Sequence, residues 1–243
     1  MFDSLGDLRY AQQMLIEPLS LSGAELDINW LKLYDYQDLV DKEILSENNV
    51  QYFWGVDPSI SGKGDYLVIC VVAKSSAPGY ERKNYIVDFV REKANLERTL
   101  QVFEATAIMW PPASVQIEAV AAQALLVQEL QMKSNLPVFS YLPKGRKEDR
   151  TKIMAQLHFG SGKTFIRGVM DQTREILVPD ERMVAFRTEY MAFPRGTHDD
   201  TLDAAESALA GSTDSGVAAS VSVDAAETVD DWQKMRNRQW GMI

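Results

Sequence analysis

A chain of 243 residues, 46% hydrophobic and 25% charged, carries enough apolar matter for one substantial core with short appendages. Its longest apolar run, Tyr66 to Ala73, is too short to cross a bilayer and its first residues lack the basic and apolar regions of a secretory signal, so a cytoplasmic protein is expected. The net charge of −10 argues against a nucleic-acid partner, but the excess acid lies in residues 1–50 (ten acidic, three basic) and 211–243 (five, three), leaving a middle of 20 acidic against 19 basic residues.

In chain order, residues 1–50 read as a connecting segment of short helical and irregular pieces, with Trp30, Tyr34 and Tyr36 among many acids. Strand-like runs at Phe53–Asp57, Tyr66–Lys74 and Asn84–Val90 follow, joined by short loops, which predicts an antiparallel meander. The only cysteine, Cys70, falls in the second run, so an intrachain disulfide is excluded and a small core residue is expected. A helix from about Leu96 to Trp110 is stopped by Pro111 and Pro112, and a strand follows at Ser114–Glu118. Helix-period apolar residues at Leu125, Leu126, Leu130 and Met132 precede another strand-like run, Pro137–Leu142, and then further helices. The order β-β-β-α-β-α-β predicts an α/β fold: a mixed sheet, antiparallel at one end and parallel at the other, with helices on its faces. Residues 51–211 are expected to form this domain; the small, polar run after Ala210 reads as a flexible linker within a 212–243 tail, where Trp232–Trp240 is either a docking helix or disordered.

Three acidic stretches carry the chemistry. In Gly55-Val56-Asp57-Pro58-Ser59-Ile60-Ser61-Gly62-Lys63-Gly64-Asp65 an aspartate ends an apolar strand, an expensive place for a carboxylate unless a cation compensates it; a Gly/Ser-rich hairpin turn is the plain alternative. Glu118 ends Val115-Gln116-Ile117-Glu118 in the same way, and if the two strands lie parallel and adjacent both acids leave the sheet at one edge. In His198-Asp199-Asp200-Thr201-Leu202-Asp203 the acids fall at the start of a helix; N-terminal capping, with Thr197 and Asp200 as a capping box, explains one of them but not three. An all-oxygen set without a His/Cys pattern suits two Mg²⁺ or Mn²⁺ ions and phosphodiester hydrolysis.

These stretches, in this order, resemble the nuclease domain of tailed-bacteriophage terminase large subunits: a strand with D-P-S-x-x-G-x-x-D, a strand ending in an acid, and H-D-D-x-x-D at a helix start. Phe193-Pro194, the strand-like Ser161-Gly162-Lys163-Thr164-Phe165-Ile166 and the upstream Arg9-Tyr10-Ala11-Gln12-Gln13 are similar as well, whereas Glu118 is followed by Ala-Val-Ala-Ala-Gln without the glycines often seen there. The resemblance implies an RNase H-like (RuvC-like) fold and a metal-dependent endonuclease cutting double-stranded DNA during genome packaging in the host cytoplasm. Asp57, Glu118 and Asp200 would be catalytic metal ligands, with Asp199, Asp65 and Asp203 in support. The implied partners are the small terminase subunit, the portal protein and a motor ATPase domain, for which this sequence shows no complete P-loop.

Lys144, Arg146, Lys147 and Arg150, in the densest basic stretch, are the candidates for DNA phosphate contact, against a plain solvated loop. Gly160-Ser161-Gly162-Lys163-Thr164 mimics a P-loop ending but has Leu157 where that motif needs glycine, and reads as a turn into a strand. The rival readings are a Holliday-junction resolvase or transposase-like nuclease of the same superfamily, an actin-like or sugar-kinase-type ATPase, and a non-catalytic docking module.

Overall fold

Alternation along the strands sorts side chains onto two faces of one sheet. In the strand Val50–Asp57 (β2), Trp54 and Val56 point to one face while Phe53, Gly55 and Asp57 point to the other. The computed structural model describes residues 26–58, 66–118 and 123–213. Within them β1 (Lys32–Asp35), β2, β3 (Leu67–Ser75), β4 (Asn84–Glu92), β5 (Pro112–Glu118), β6 (Val138–Tyr141) and β7 (Thr164–Asp171) form a sheet in the order β1-β7-β4-β3-β2-β5-β6, and β8 (Ile176–Pro179) forms a hairpin with the far half of β7.

Strands β2, β3 and β4 are the antiparallel meander expected from their short connections. β5 lies parallel to β2 and β6 parallel to β5, while β7 lies parallel to β4 on the other side. The α/β mixed sheet of the sequence reading is therefore the fold. Two additions were not anticipated. β1 pairs in parallel with β7, and Leu26, Leu31, Tyr34, Leu39, Ile44 and Leu45 are buried, so residues 26–50 of the expected connecting segment are built into the sheet and core. β8 is the other.

One face is covered by α2 (Leu96–Met109) and α3 (Gln123–Lys133), and its core runs from Trp54, Ile69 and Val71 to Phe103 and Leu130. Helix α2 starts at Asn95, whose side chain accepts from the Arg98 N–H, and ends ahead of the two prolines. A short helix, α1 (Tyr36–Asp41), follows β1. The opposite face packs on α4 (Lys147–Met154), extended by a π-helical turn at Ala155–Gly160, and on α5 (Val184–Ala192) and α6 (Asp200–Thr213), through Phe53, Cys70, Phe159, Phe186, Tyr190 and Leu202. Cys70 is fully buried there, as expected, and burial pushes its thiol pKa up. The mock P-loop is a turn, with Gly162 at φ +69, leading into β7. Helix α6 continues through Gly211, Ser212 and Thr213, beyond the expected domain end. The Trp232–Trp240 stretch lies outside the described residues, and no helix within them is long and apolar enough to cross a membrane.

Candidate active site

Helix α6 crosses directly over β2. A Cβ on Gly55 would stand 2.0 Å from the Ala204 carbonyl oxygen and 2.2 Å from the Ala208 nitrogen, so only glycine admits the helix backbone this close. That contact seats α6 on β2 at Ala204 and Ala208, one turn past its acidic start. Asp57 is two residues past Gly55 on the same face, and Glu118 shares that face because Val115 and Ile117 fill the other. The parallel register aligns Gly55 with Gln116 and Val56 with Ile117, so Asp57 and Glu118 follow at the same edge. Across the meander, Asp57 is aligned with Val68 and Val68 with Arg91, so one row brings a cation to that edge as well.

Asp57, Glu118, Asp200 and Asp203 are close enough to act on one another electrostatically. Burial, then the charges of Asp203, Asp200 and Glu118, push Asp57 up to about 8, against a smaller opposing pull from Lys147. Burial raises Asp203 to about 6 even though Lys147 bonds to it. Asp199, at the helix start, offers its carbonyl oxygen to the N–H groups of Leu202 and Asp203. The Thr201 N–H is capped by Glu189 of α5 at 2.8 Å, and the Thr201 hydroxyl donates to the same oxygen. Glu189 thus caps that helix N–H from the neighbouring helix. Asp65 lies outside the described residues.

The cations of the chain partner these acids. Lys147, at the first turn of α4, places its ammonium 2.7 Å from Asp199 and 2.5 Å from Asp203. Burial works against its charge, but hydrogen bonds to those two acids leave its pKa raised. Arg150, one turn on, reaches Glu206 at 2.8 Å, and the Tyr141 hydroxyl donates to the same oxygen at 3.0 Å. On the other flank Arg91 stands 3.8 Å from Glu189 and 4.0 Å from Asp200, stacked 3.7 Å above the Tyr66 ring, and His198 lies 3.9 Å from Asp200. Of the four basic candidates, Lys147 and Arg150 therefore turn toward acids of α6, whereas Lys144 and Arg146 are exposed.

The donor set suits a hard divalent ion in chemistry, being carboxylate oxygen throughout. Asp203 Oδ1 and Glu206 Oε2 are buried and have no hydrogen-bond partner among the described residues, so the cluster has unused capacity for positive charge. Among the described residues, however, no three acidic or imidazole groups close into a ready-made cage. Lys147 draws Asp199 and Asp203 toward α4, and Arg91 and His198 flank Asp200 on the far side. Sequence reading missed Arg91, Glu189 and Glu206. Glu206 was findable, since Asp199, Asp203 and Glu206 share one helix face at i, i+4 and i+7. Arg91 is the polar end of an apolar strand, the same signal as Asp57 with the opposite sign. Glu189 carries no such mark.

Among solved structures, the fold matches that of the large terminase nuclease of thermophilic phage G20c. The form with bound magnesium has a TM-score of 0.51 at 14% identity, over 75% of this chain and 94% of that one. The form with bound zinc gives 0.50 at 17% identity, over 75% and 95%. No protein-family model and no curated protein matches the sequence. The chain thus has the RNase H-like fold of terminase nucleases.

Proposed function

We propose that the chain is a metal-dependent endonuclease that cuts double-stranded DNA, acting in phage genome packaging beside a motor ATPase, a small terminase subunit and a portal protein. The carrying observation is the convergence, at one sheet edge, of two strand-end carboxylates with the acidic start of α6, crowded enough to push Asp57 up to about 8. Crowding of this kind is costly to keep unless a cation relieves it. The fold relatives with magnesium and zinc bound support the same reading.

Asp57, Glu118 and Asp200 would hold the ions, Mg²⁺ or Mn²⁺, with Asp199, Asp203 and Asp65 in support. Two bound ions supply Lewis-acid activation of the attacking water and charge relief at the departing oxygen. The chain itself supplies placement. Gly55 sets the helix against the strand, Glu189 caps the helix start, and Arg91 steadies Glu189 and Asp200. Lys144 and Arg146, exposed in the turn ahead of α4, with Arg146 3.8 Å from Glu148, suit the phosphates of the substrate.

Plasmid nicking in Mn²⁺ tests the reading. Asp57→Asn should reduce the rate about 10³-fold or more, with Glu118→Gln and Asp200→Asn similarly impaired; wild-type nicking by all three would overturn it. Lys144→Gln combined with Arg146→Gln should weaken duplex binding for every sequence alike and lower its salt slope by about two. Preference for branched over linear DNA would turn the assignment toward a junction resolvase.

A further inference from the structure

Lys147 and Arg150 face the same helix but are held differently. Arg150 and Glu206 are both largely covered, with side-chain exposures of 15% and 10%, and Tyr141 shares their oxygen. Lys147 is 42% exposed, yet its ammonium reaches in to Asp203, which is 9% exposed. A lysine at the first turn of a helix sits at the unfavourable end of the helix dipole, so the acids of α6, not α4, account for its position. Its four-carbon stem is flexible and its charge is a point, without the fixed fork that ties an arginine to one partner. Asp203, finally, is only half satisfied: one oxygen takes Lys147, while Oδ1 has no hydrogen-bond partner among the described residues.

Building on the cation-dependent nuclease proposed above, we propose that Lys147 is a two-place residue. Without divalent ions its ammonium is the counter-ion of Asp199 and Asp203; when a divalent ion takes those carboxylates, the lysine is released to hold a phosphate oxygen of the DNA strand. Lysine and metal draw on the same two acids, so they compete. The released side chain turns out to solvent at the start of α4, directly after the exposed Lys144 and Arg146 in sequence, so this basic stretch gains a charge only when the site is loaded.

Mn²⁺ titration without DNA, read by paramagnetic resonance, measures the competition. Lys147→Met should bind Mn²⁺ about tenfold tighter than wild type, about 1.4 kcal/mol, and Lys147→Arg should stay within about twofold of wild type. Duplex binding measures the release. In Ca²⁺ the salt slope of Lys147→Met should be smaller than wild type by about one, and in chelator the two slopes should coincide. The wild-type protein supplies a readout independent of any variant's folding: acetylation of Lys147, followed by mass spectrometry, should rise severalfold when Mn²⁺ is added. Equal or weaker Mn²⁺ binding by Lys147→Met, an unchanged slope in Ca²⁺, or labelling indifferent to Mn²⁺ would each overturn the two-place role while leaving the nuclease reading intact. No Mn²⁺ binding by either wild type or Lys147→Met would instead remove both.

Discussion

The two ends of α6 are built on opposite terms. At its start, Asp200 and Asp203 crowd against Asp57, and one Asp203 oxygen is buried without a hydrogen-bond partner among the described residues, while one turn further on the backbone of Ala204 and Ala208 is pressed onto Gly55. At its end Lys74 donates to the Ser212 carbonyl oxygen at 2.9 Å, the Ser212 hydroxyl bonds back to Leu209, and Gly211 lies over the flexible side chain of Gln116. The last described turn carries a cation placed to suit the dipole. The other end keeps a repulsive arrangement in place, and the buried apolar face between them, including Leu202, Ala205 and Leu209, holds the helix down regardless. Unrelieved charge confined to one terminus, on a helix otherwise packed, is the feature on which the proposed metal site rests.

The contrast breaks most completely at Gly55. Gly55→Ala drives a methyl group into the backbone of Ala204 and Ala208, neither of which can yield as a side chain would. A loss of about 3–5 kcal/mol is expected in denaturant unfolding, together with loss of nicking, because α6 must leave β2. Gly211→Ala meets only Gln116 side-chain atoms, the nearest at 2.8 Å, and should lose less than about 1 kcal/mol. Equal losses at the two glycines would remove the distinction between the helix ends.

Stability against pH sharpens the comparison next. Asp57 and Asp203 have folded-state pKa values of about 8 and about 6, above the roughly 3.9 of an unfolded aspartate. Between those limits the native protein binds more protons than the unfolded chain, so stability falls as pH rises, by up to about 1.4 kcal/mol per pH unit for each group. The metal-free protein should therefore lose stability from pH 5 to pH 8 and level off above. Asp57→Asn removes the larger contribution and should flatten the upper part of that decline. Mn²⁺ at 100 times its Kd at pH 8 should restore about 2.7 kcal/mol there, and the same Mn²⁺ concentration should restore less at pH 6, because the carboxylates must be ionised to bind it. Thermal melts at fixed ionic strength read all three; a decline left unchanged by Asp57→Asn would place the titration elsewhere.

Much of this arrangement is legible in the amino-acid order, for a physical reason. An acid at the end of an apolar alternating run is visible as a break in the period, and Asp57 and Glu118 both show it; acids clustered ahead of Leu202 are visible because capping needs only one. What stayed hidden is partnership. Lys147 and Arg150 look alike in sequence, a basic run beside a predicted strand, and nothing local says that they turn toward acids more than 45 positions away. β1 and β8 are four residues each, and neither is framed, as the equally short β6 is, by a helical period and a proline ahead of it, so their alternation does not register; β1 pairs in parallel with β7. Gly55 is quoted in the motif but silent in it, since the need for a missing Cβ arises only once α6 lies across the strand.

The smallest effect is expected at the quiet end. Lys74 is part-buried near the far end of β3, and its ammonium supports the last turn of α6 through Ser212. Lys74→Met keeps the length of the side chain and removes the charge and this bond, which should lower stability by about 1 kcal/mol. The pH profile should keep the wild-type slope, because the acids responsible are Asp57 on β2 and Asp203, about two and a half turns from Ser212. Nicking should be unchanged for the same reason: α6 is seated at Gly55 and its start is capped by Glu189, and neither contact passes through Ser212. A nicking defect in Lys74→Met comparable to that of Asp57→Asn, in protein that still melts cooperatively, would mean that the helix transmits changes along its length, and the two ends would then have to be treated as one device.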